Sequence, residues 1–132
     1  MIYEFISEGD KGQIQKIIKF SETTLKDFYN LAFGDKNEAT GEINDTIVSN
    51  NGDAERVLAT VVAAVYAFTD NKPNIWIYAT GSSKSRTRLY RMGISKFIED
   101  IKKDFLLYGQ LEGEWENFTK EIEYTAFLVR RK

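Results

Sequence analysis

The stretch from Ile75 to Met92 constrains the fold most, because it passes from a continuous apolar run through a small polar turn into a basic helix. The run at residues 75–80 is typical of a central strand that is buried on both faces. The turn contains Gly81, Ser82 and Ser83, and the helical pattern that follows extends over residues 84–105. The sequence therefore predicts a sheet with this strand at its centre and a helix leaving its carboxyl end.

The segments on either side supply the other elements. Alternating or apolar patterns predict four strands at residues 2–6, 13–20, 28–33 and 42–49. A helix starts after the polar residues 50–53 and ends before Pro73, and a last strand covers residues 122–129 after a loop at 107–117. The order ββββα-βαβ predicts one α+β domain over residues 1–132, with two helices on one face of a mostly antiparallel sheet.

Composition limits the possible functions. The chain has 132 residues, of which 42% are hydrophobic, so it can form a single domain with a core. Its formal net charge of −2 is unlike that of a dedicated double-stranded DNA binder. Because it contains neither Cys nor His, disulfides, thiol nucleophiles and Ser-His-Asp catalysis are excluded within this chain.

The sequence carries no sign of a membrane protein. Residues 1–5 lack the basic region and long apolar stretch of a signal peptide. No apolar run approaches the roughly 18 to 20 residues that span a bilayer. We therefore expect a cytoplasmic protein with no membrane association, no cofactor and no metal site.

The basic turn is the one place where the sequence indicates chemistry. Free backbone N–H groups and the helix dipole favour an anion at a helix start. At about 100° per residue, Lys84, Arg88 and Arg91 share one helical face, whereas Arg86 projects elsewhere. Cations oppose the dipole at this end of a helix, and such local inconsistency tends to mark function. The predicted phosphate-binding or nucleic-acid-binding set is Gly81, Ser82, Ser83, Lys84, Arg86, Arg88 and Arg91.

Other interpretations of these residues stay open. The arginines could form structural ion pairs with Glu42, Asp45 or Asp53. The turn is not a Walker A loop, because that motif needs two glycines and a Lys directly after the second. Aromatic residues on an exposed sheet face could stack on unpaired bases, and those on the helix-covered face would be core. The strand aromatics in question are Tyr3, Phe5, Tyr29, Phe33, Tyr78, Tyr124 and Phe127.

Several segments together resemble a family of small uncharacterised proteins from Bacteroidetes-type bacteria. These segments are residues 1–5, 29–35, 48–53, 78–82 and 86–92, and the resemblance extends over essentially the whole chain. The family carries no established activity, so the resemblance implies membership of a family but no function. The ββββα order is also similar to the repeat of Pur-alpha and Whirly proteins, which bind single-stranded nucleic acid and often dimerise. This second similarity is one of topology alone.

Three functions follow as hypotheses. The first is a non-enzymatic binding module for single-stranded nucleic acid or another phosphate-bearing ligand. The second is a dimeric protein-interaction or regulatory protein, and the third is an enzyme that acts on a phosphorylated small molecule through Asp45, Asp53 or Tyr90. We also expect a homodimer, because the strand at residues 122–129 would be a sheet edge that gains from being covered.

Overall fold

A computed structural model describes residues 1–44, 51–81 and 84–132. Within the last range, only the backbone of Arg86 is described. The chain forms an α+β fold in which a mostly antiparallel sheet is covered by helices. The strands are β1 (Ile2–Gly9), β2 (Gly12–Glu22), β3 (Phe28–Lys36), β4 (Ile43–Asn44), β5 (Trp76–Ala79), β6 (Phe105–Leu111), β7 (Glu114–Asn117) and β8 (Ala126–Arg131). The helices are α1 (Ala54–Asn71), α2 (Lys84–Lys96) and α3 (Ile98–Asp104).

The strands lie in the order β1-β2-β3-β5-β8-β6-β7, with β4 paired to β3. Only the β3–β5 pair is parallel among the described pairs, because α1 connects these two strands as a crossover. This order places β5 between β3 and β8, so the prediction that β5 is a central strand is confirmed. The prediction that both of its faces are buried is wrong, since Ile77 is buried whereas Trp76 and Tyr78 are partly exposed.

The second half of the chain departs from the predicted βαβ order. The helix predicted at residues 84–105 is divided at Phe97 into α2 and α3. The loop predicted at residues 107–117 is instead the β6–β7 hairpin, and the last strand begins at Ala126. The hairpin turn consists of Glu112 and Gly113, both at positive φ, which is the geometry that a two-residue hairpin turn requires.

The core lies between the helices and one face of the sheet. Phe20 of β2 stacks on Phe68 of α1 at a centroid distance of 4.3 Å, and Phe33 of β3 meets Tyr90 of α2 edge to face. Because side chains alternate between the two faces of a strand, these contacts fix which residues face the helices. The buried helix-facing residues include Ile18, Leu31, Ile77, Leu107 and Phe127.

A polar network holds the β1–β2 hairpin against the start of α1. The side chain of Asn51 is buried and donates to the carbonyl oxygen of Gly12, while its own oxygen accepts the Lys11 N–H. Asp53 precedes α1, but its carboxylate makes no capping hydrogen bond to the helix. Its carboxylate instead accepts a hydrogen bond from the Ser7 hydroxyl at 2.7 Å, which ties the start of α1 to β1.

The edge strand that supported the homodimer prediction was assigned wrongly. β8 lies between β5 and β6, and its Arg131 also contacts α1 through Tyr66 and Asp70. In the described sheet the edges are β1 and β7. The homodimer itself stays a prediction, which light scattering at micromolar concentration tests.

The described helices give one further fact. None of them is both long enough and apolar enough to cross a bilayer. The predicted cytoplasmic location stays a prediction.

Candidate functional site

A cleft of about 660 Å³ opens at the carboxyl end of β5, where the chain turns into α2. Its floor is formed by Thr80 and Gly81, directly after the central strand. One wall is the first two turns of α2, and the opposite wall is the segment that precedes β8. The described lining residues are Thr80, Gly81, Lys84, Ser85, Thr87, Arg88, Arg91, Glu123, Tyr124 and Thr125.

The α2 wall makes the cleft basic. Lys84, Arg88 and Arg91 all line it, as expected for residues spaced along one helical face. Lys84 and Arg88 are exposed, and the first turn of α2 contains no acidic residue. The described lining thus carries three cationic side chains and one carboxylate, that of Glu123.

One cation of the cleft has an acidic neighbour. Nη1 of Arg91 lies 3.5 Å from Oε1 of Glu123, whose side chain is 88% exposed. An ion pair at this distance with one partner in solvent contributes about 0–1 kcal/mol to stability. The acidic partners predicted for the arginines were Glu42, Asp45 and Asp53, and Glu123 was not among them. Arg91 therefore lies near the opposite wall, which we call the far wall, and its weak ion pair with Glu123 does not fix its position.

The backbone around the turn is only partly available. The N–H of Gly81 donates to Oγ1 of Thr87 at 3.2 Å, so this predicted anion donor already has a partner. Ser82 and Ser83, which belong to the predicted phosphate-binding set, lie outside the described residues, and so does the side chain of Arg86. Of the predicted set, Gly81, Lys84, Arg88 and Arg91 are therefore brought to one cleft.

Of the residues proposed for catalysis, the two that the structure describes do not line this cleft. The side chain of Tyr90 is buried, packs on Phe33 and donates its hydroxyl to the carbonyl oxygen of Leu31. Asp53 belongs to the network at the start of α1. Asp45 lies outside the described residues.

Sequence reasoning missed the far wall, which comes from residues more than thirty positions downstream of Gly81. The Thr80 hydroxyl donates to the carbonyl oxygen of Thr125 at 2.8 Å, which ties this wall to the floor. The ring of Tyr124 packs over Gly109 of β6, so closely that a Cβ there would lie 2.4 Å from it. A signal for this contact was present in Gly109 itself, since a glycine inside a strand often marks a close approach.

The sequence model of a family of unknown function, DUF6934, matches residues 1–132. The chain belongs to this family. Comparisons with curated proteins and with solved structures gave no match. The match confirms the resemblance to a family of unknown function over the whole chain. The origin of that family in Bacteroidetes-type bacteria and the topological similarity to Pur-alpha and Whirly proteins stay predictions.

Proposed function

We propose that this protein is a non-enzymatic binding module for a phosphate-bearing ligand held in the cleft at the start of α2, with single-stranded nucleic acid as the first candidate. The observation that carries the proposal is the convergence of Lys84, Arg88 and Arg91 on one concave site. Charge-assisted hydrogen bonds from such side chains to phosphate oxygens are shorter and stronger than neutral ones. The dipole of the thirteen-residue helix α2 adds partial positive charge at the same end.

A hydroxyl group adds to the chemistry of the cleft. Ser85 is exposed on the α2 wall, whereas the Thr125 hydroxyl on the other side donates to the carbonyl oxygen of Gln110 at 3.2 Å. Hydroxyls and cations together are the side chains that most often contact phosphate and sugar in protein–nucleic acid complexes. The α2 wall therefore has the donors needed to bind a phosphate group.

An enzyme is the second candidate function. It is favoured by the position of Glu123, whose carboxylate lines a cleft suited to phosphate. A general base works best when its surroundings tune its pKa towards the working pH, usually through burial. Glu123 is 88% exposed and lies beside Arg91, so an ion-pair partner is a better description of it than a general base. We therefore favour binding without catalysis over an enzyme.

The double substitution Arg88→Glu with Arg91→Glu should abolish binding. Each lost contact to a charged group is worth about 1.5 kcal/mol or more, so two should weaken binding about 100-fold or more. Stability should change by about 1 kcal/mol, since Arg88 is exposed and the part-buried Arg91 pairs only with a carboxylate that lies in solvent. Calorimetry with inorganic pyrophosphate and anisotropy of a labelled oligothymidylate, both at low salt, measure the binding.

A matched control uses Lys102→Glu with Lys103→Glu. These two exposed residues of α3 give the same change of net charge away from the cleft, so binding should fall far less. The double arginine variant must also keep its cooperative melting transition. Unfolding of that variant would show that the arginines are structural, and no binding of either probe to the native protein would refute the proposal.

A third variant should change affinity in the opposite direction. Glu123→Gln removes the carboxylate that competes for Arg91, so an anion should bind several-fold more tightly. An enzyme that uses Glu123 as its base would instead bind its substrate and lose turnover.

For the native protein, three phosphate contacts predict a slope of log affinity against log salt of about −2 with single strands.

A further inference from the structure

The face of the sheet opposite the helices carries a cluster of aromatic side chains. Along β5, Trp76 and Tyr78 alternate with the core residues Ile77 and Ala79, so they point away from the helices. The strand register places Phe28 of β3 beside Trp76. It likewise places Tyr108 of β6 on this face, and Trp115 of β7 joins it through its pairing with Gln110. We call these residues, together with Arg130 of β8, the aromatic patch: Phe28, Trp76, Tyr78, Tyr108, Trp115 and Arg130.

The rings of the aromatic patch touch one another without being enclosed. The ring centroid of Trp76 lies 6.1 Å from that of Phe28 and 5.9 Å from that of Tyr108. Tyr78 meets Trp115 edge to face at 6.0 Å. Trp115 is 40% exposed, and the other rings are partly exposed. The patch is thus a row of mutually supported rings that are each partly exposed, with Trp115 the most accessible.

The patch differs in kind from the strand aromatics of the opposite face. Tyr3, Phe5 and Tyr29 pack against the core, and Phe33 and Phe127 lie inside it. Of the aromatics singled out in the sequence, Tyr78 is the one that the register places on the open face. In the described part of the chain, the helices contact the other face alone through residues such as Phe68 and Tyr66.

The charge and position of the patch indicate its ligand. Its charged member is a cation, Arg130, whose guanidinium carbon lies 5.5 Å from the centre of the Trp76 ring. Tyr78 is followed two residues later by Thr80, which forms the floor of the basic cleft. On β6, which β8 separates from β5, Gln110 pairs with Trp115 and its backbone carbonyl oxygen accepts the N–H of Thr125, a residue of the cleft wall. Tyr78 and Trp115 are therefore each linked by the backbone or by strand pairing to residues that line the cleft.

We infer that the aromatic patch stacks the unpaired bases of a single-stranded nucleic acid whose phosphates enter the basic cleft. Flat rings beside a cation suit base stacking, which tolerates any sequence because every base has a π-face. A duplex would not fit this use, since its bases are already stacked on each other. The inference rests on the proposed function, which it deepens by assigning the surface that holds the bases.

Tryptophan fluorescence reports on this site directly. The chain has two Trp, and both belong to the aromatic patch. Titration with an oligothymidylate should quench the fluorescence, because the bases would stack on these rings. An oligomer of equal length and charge built from abasic nucleotides should bind the cleft with little quenching. Inorganic pyrophosphate should bind with none.

Two variants test the rings. Trp115→Ala and Trp76→Leu should each weaken oligothymidylate binding about 5-fold or more, as expected for the loss of one stacked base, and leave pyrophosphate binding unchanged. Trp115 is the more exposed ring, so Trp115→Ala keeps the test valid if Trp76→Leu fails to fold. Leu25→Ala removes an exposed apolar side chain outside the patch and should leave both affinities unchanged.

The outcomes separate this inference from the proposed function. Equal binding of thymidine and abasic oligomers without quenching would overturn the inference and leave phosphate binding at the cleft intact. Quenching that survives Arg88→Glu with Arg91→Glu would support the patch and contradict the cleft. No binding of any probe would overturn both. A fluorescence change that depends on protein concentration alone would show that a second copy of the chain covers the patch, which would also overturn the inference.

Discussion

Replacing Gly9 by alanine should lower the free energy of unfolding by about 3 kcal/mol, the upper part of the usual range for overpacking. An added Cβ at Gly9 would lie 1.7 Å from the backbone carbonyl oxygen of Asn51. This oxygen already accepts the N–H of Asp10 at 3.0 Å, so it cannot retreat without losing that bond. Urea unfolding of Gly9→Ala and of the native protein measures this loss as a lower midpoint with an unchanged m-value.

Gly12→Ala is the matched control in the same hairpin. No atom lies within 4 Å of a Cβ built at Gly12, but its φ of +82° is unfavourable for alanine. The expected cost is about 1–2 kcal/mol of backbone strain. If Gly9→Ala cost no more than Gly12→Ala, the close packing of the β1–β2 hairpin against Asn51 would be disproved.

The first half of the fold was predictable because its signals are local. Apolar alternation marked β1 to β3, and the helical spacing of Val57, Leu58 and Val61 marked α1. Strand pairing was less accessible, because the alternation of apolar residues in β2 slips at Ile17 and Ile18, a pattern that fits either a bulge or burial on both faces. The register of β1 with β2 runs unbroken through this point, and both residues are buried. The prediction for the second half of the chain missed the β6–β7 hairpin, because Glu112-Gly113 is a less familiar hairpin signal than Asn-Gly.

The candidate site was predictable on one wall only. The spacing of Lys84, Arg88 and Arg91 along a helix determines that they share a face, whatever the tertiary fold. The opposite wall depends on where β8 pairs, and that pairing joins residues some fifty positions apart. The aromatic patch depends on the same pairing, because the register decides that Trp76, Tyr108 and Trp115 share the open face. Long-range strand order of this kind leaves no local trace in a single sequence.

Gly109→Ala should lower the free energy of unfolding by about 3 kcal/mol as well, and it should also disturb the basic cleft. A Cβ at Gly109 would lie 2.4 to 2.6 Å from three ring atoms of Tyr124. That ring is fixed at its far end, because its hydroxyl donates to Glu116 and accepts the N–H of Thr119. Displacing it would move the wall formed by residues 123–125 and weaken pyrophosphate binding along with stability.

A double-mutant cycle with Tyr124→Ala tests whether this one contact is the cause. Removal of a buried aromatic ring costs about 3–5 kcal/mol on its own. In the double variant, however, the new methyl group occupies space that the ring has left, so the second substitution should add little. Thermal or urea unfolding of the four proteins gives the coupling. Additive losses would mean that Gly109 and Tyr124 act independently, whereas the expected coupling of about 2–3 kcal/mol would tie the far wall of the cleft to the absence of a side chain at Gly109.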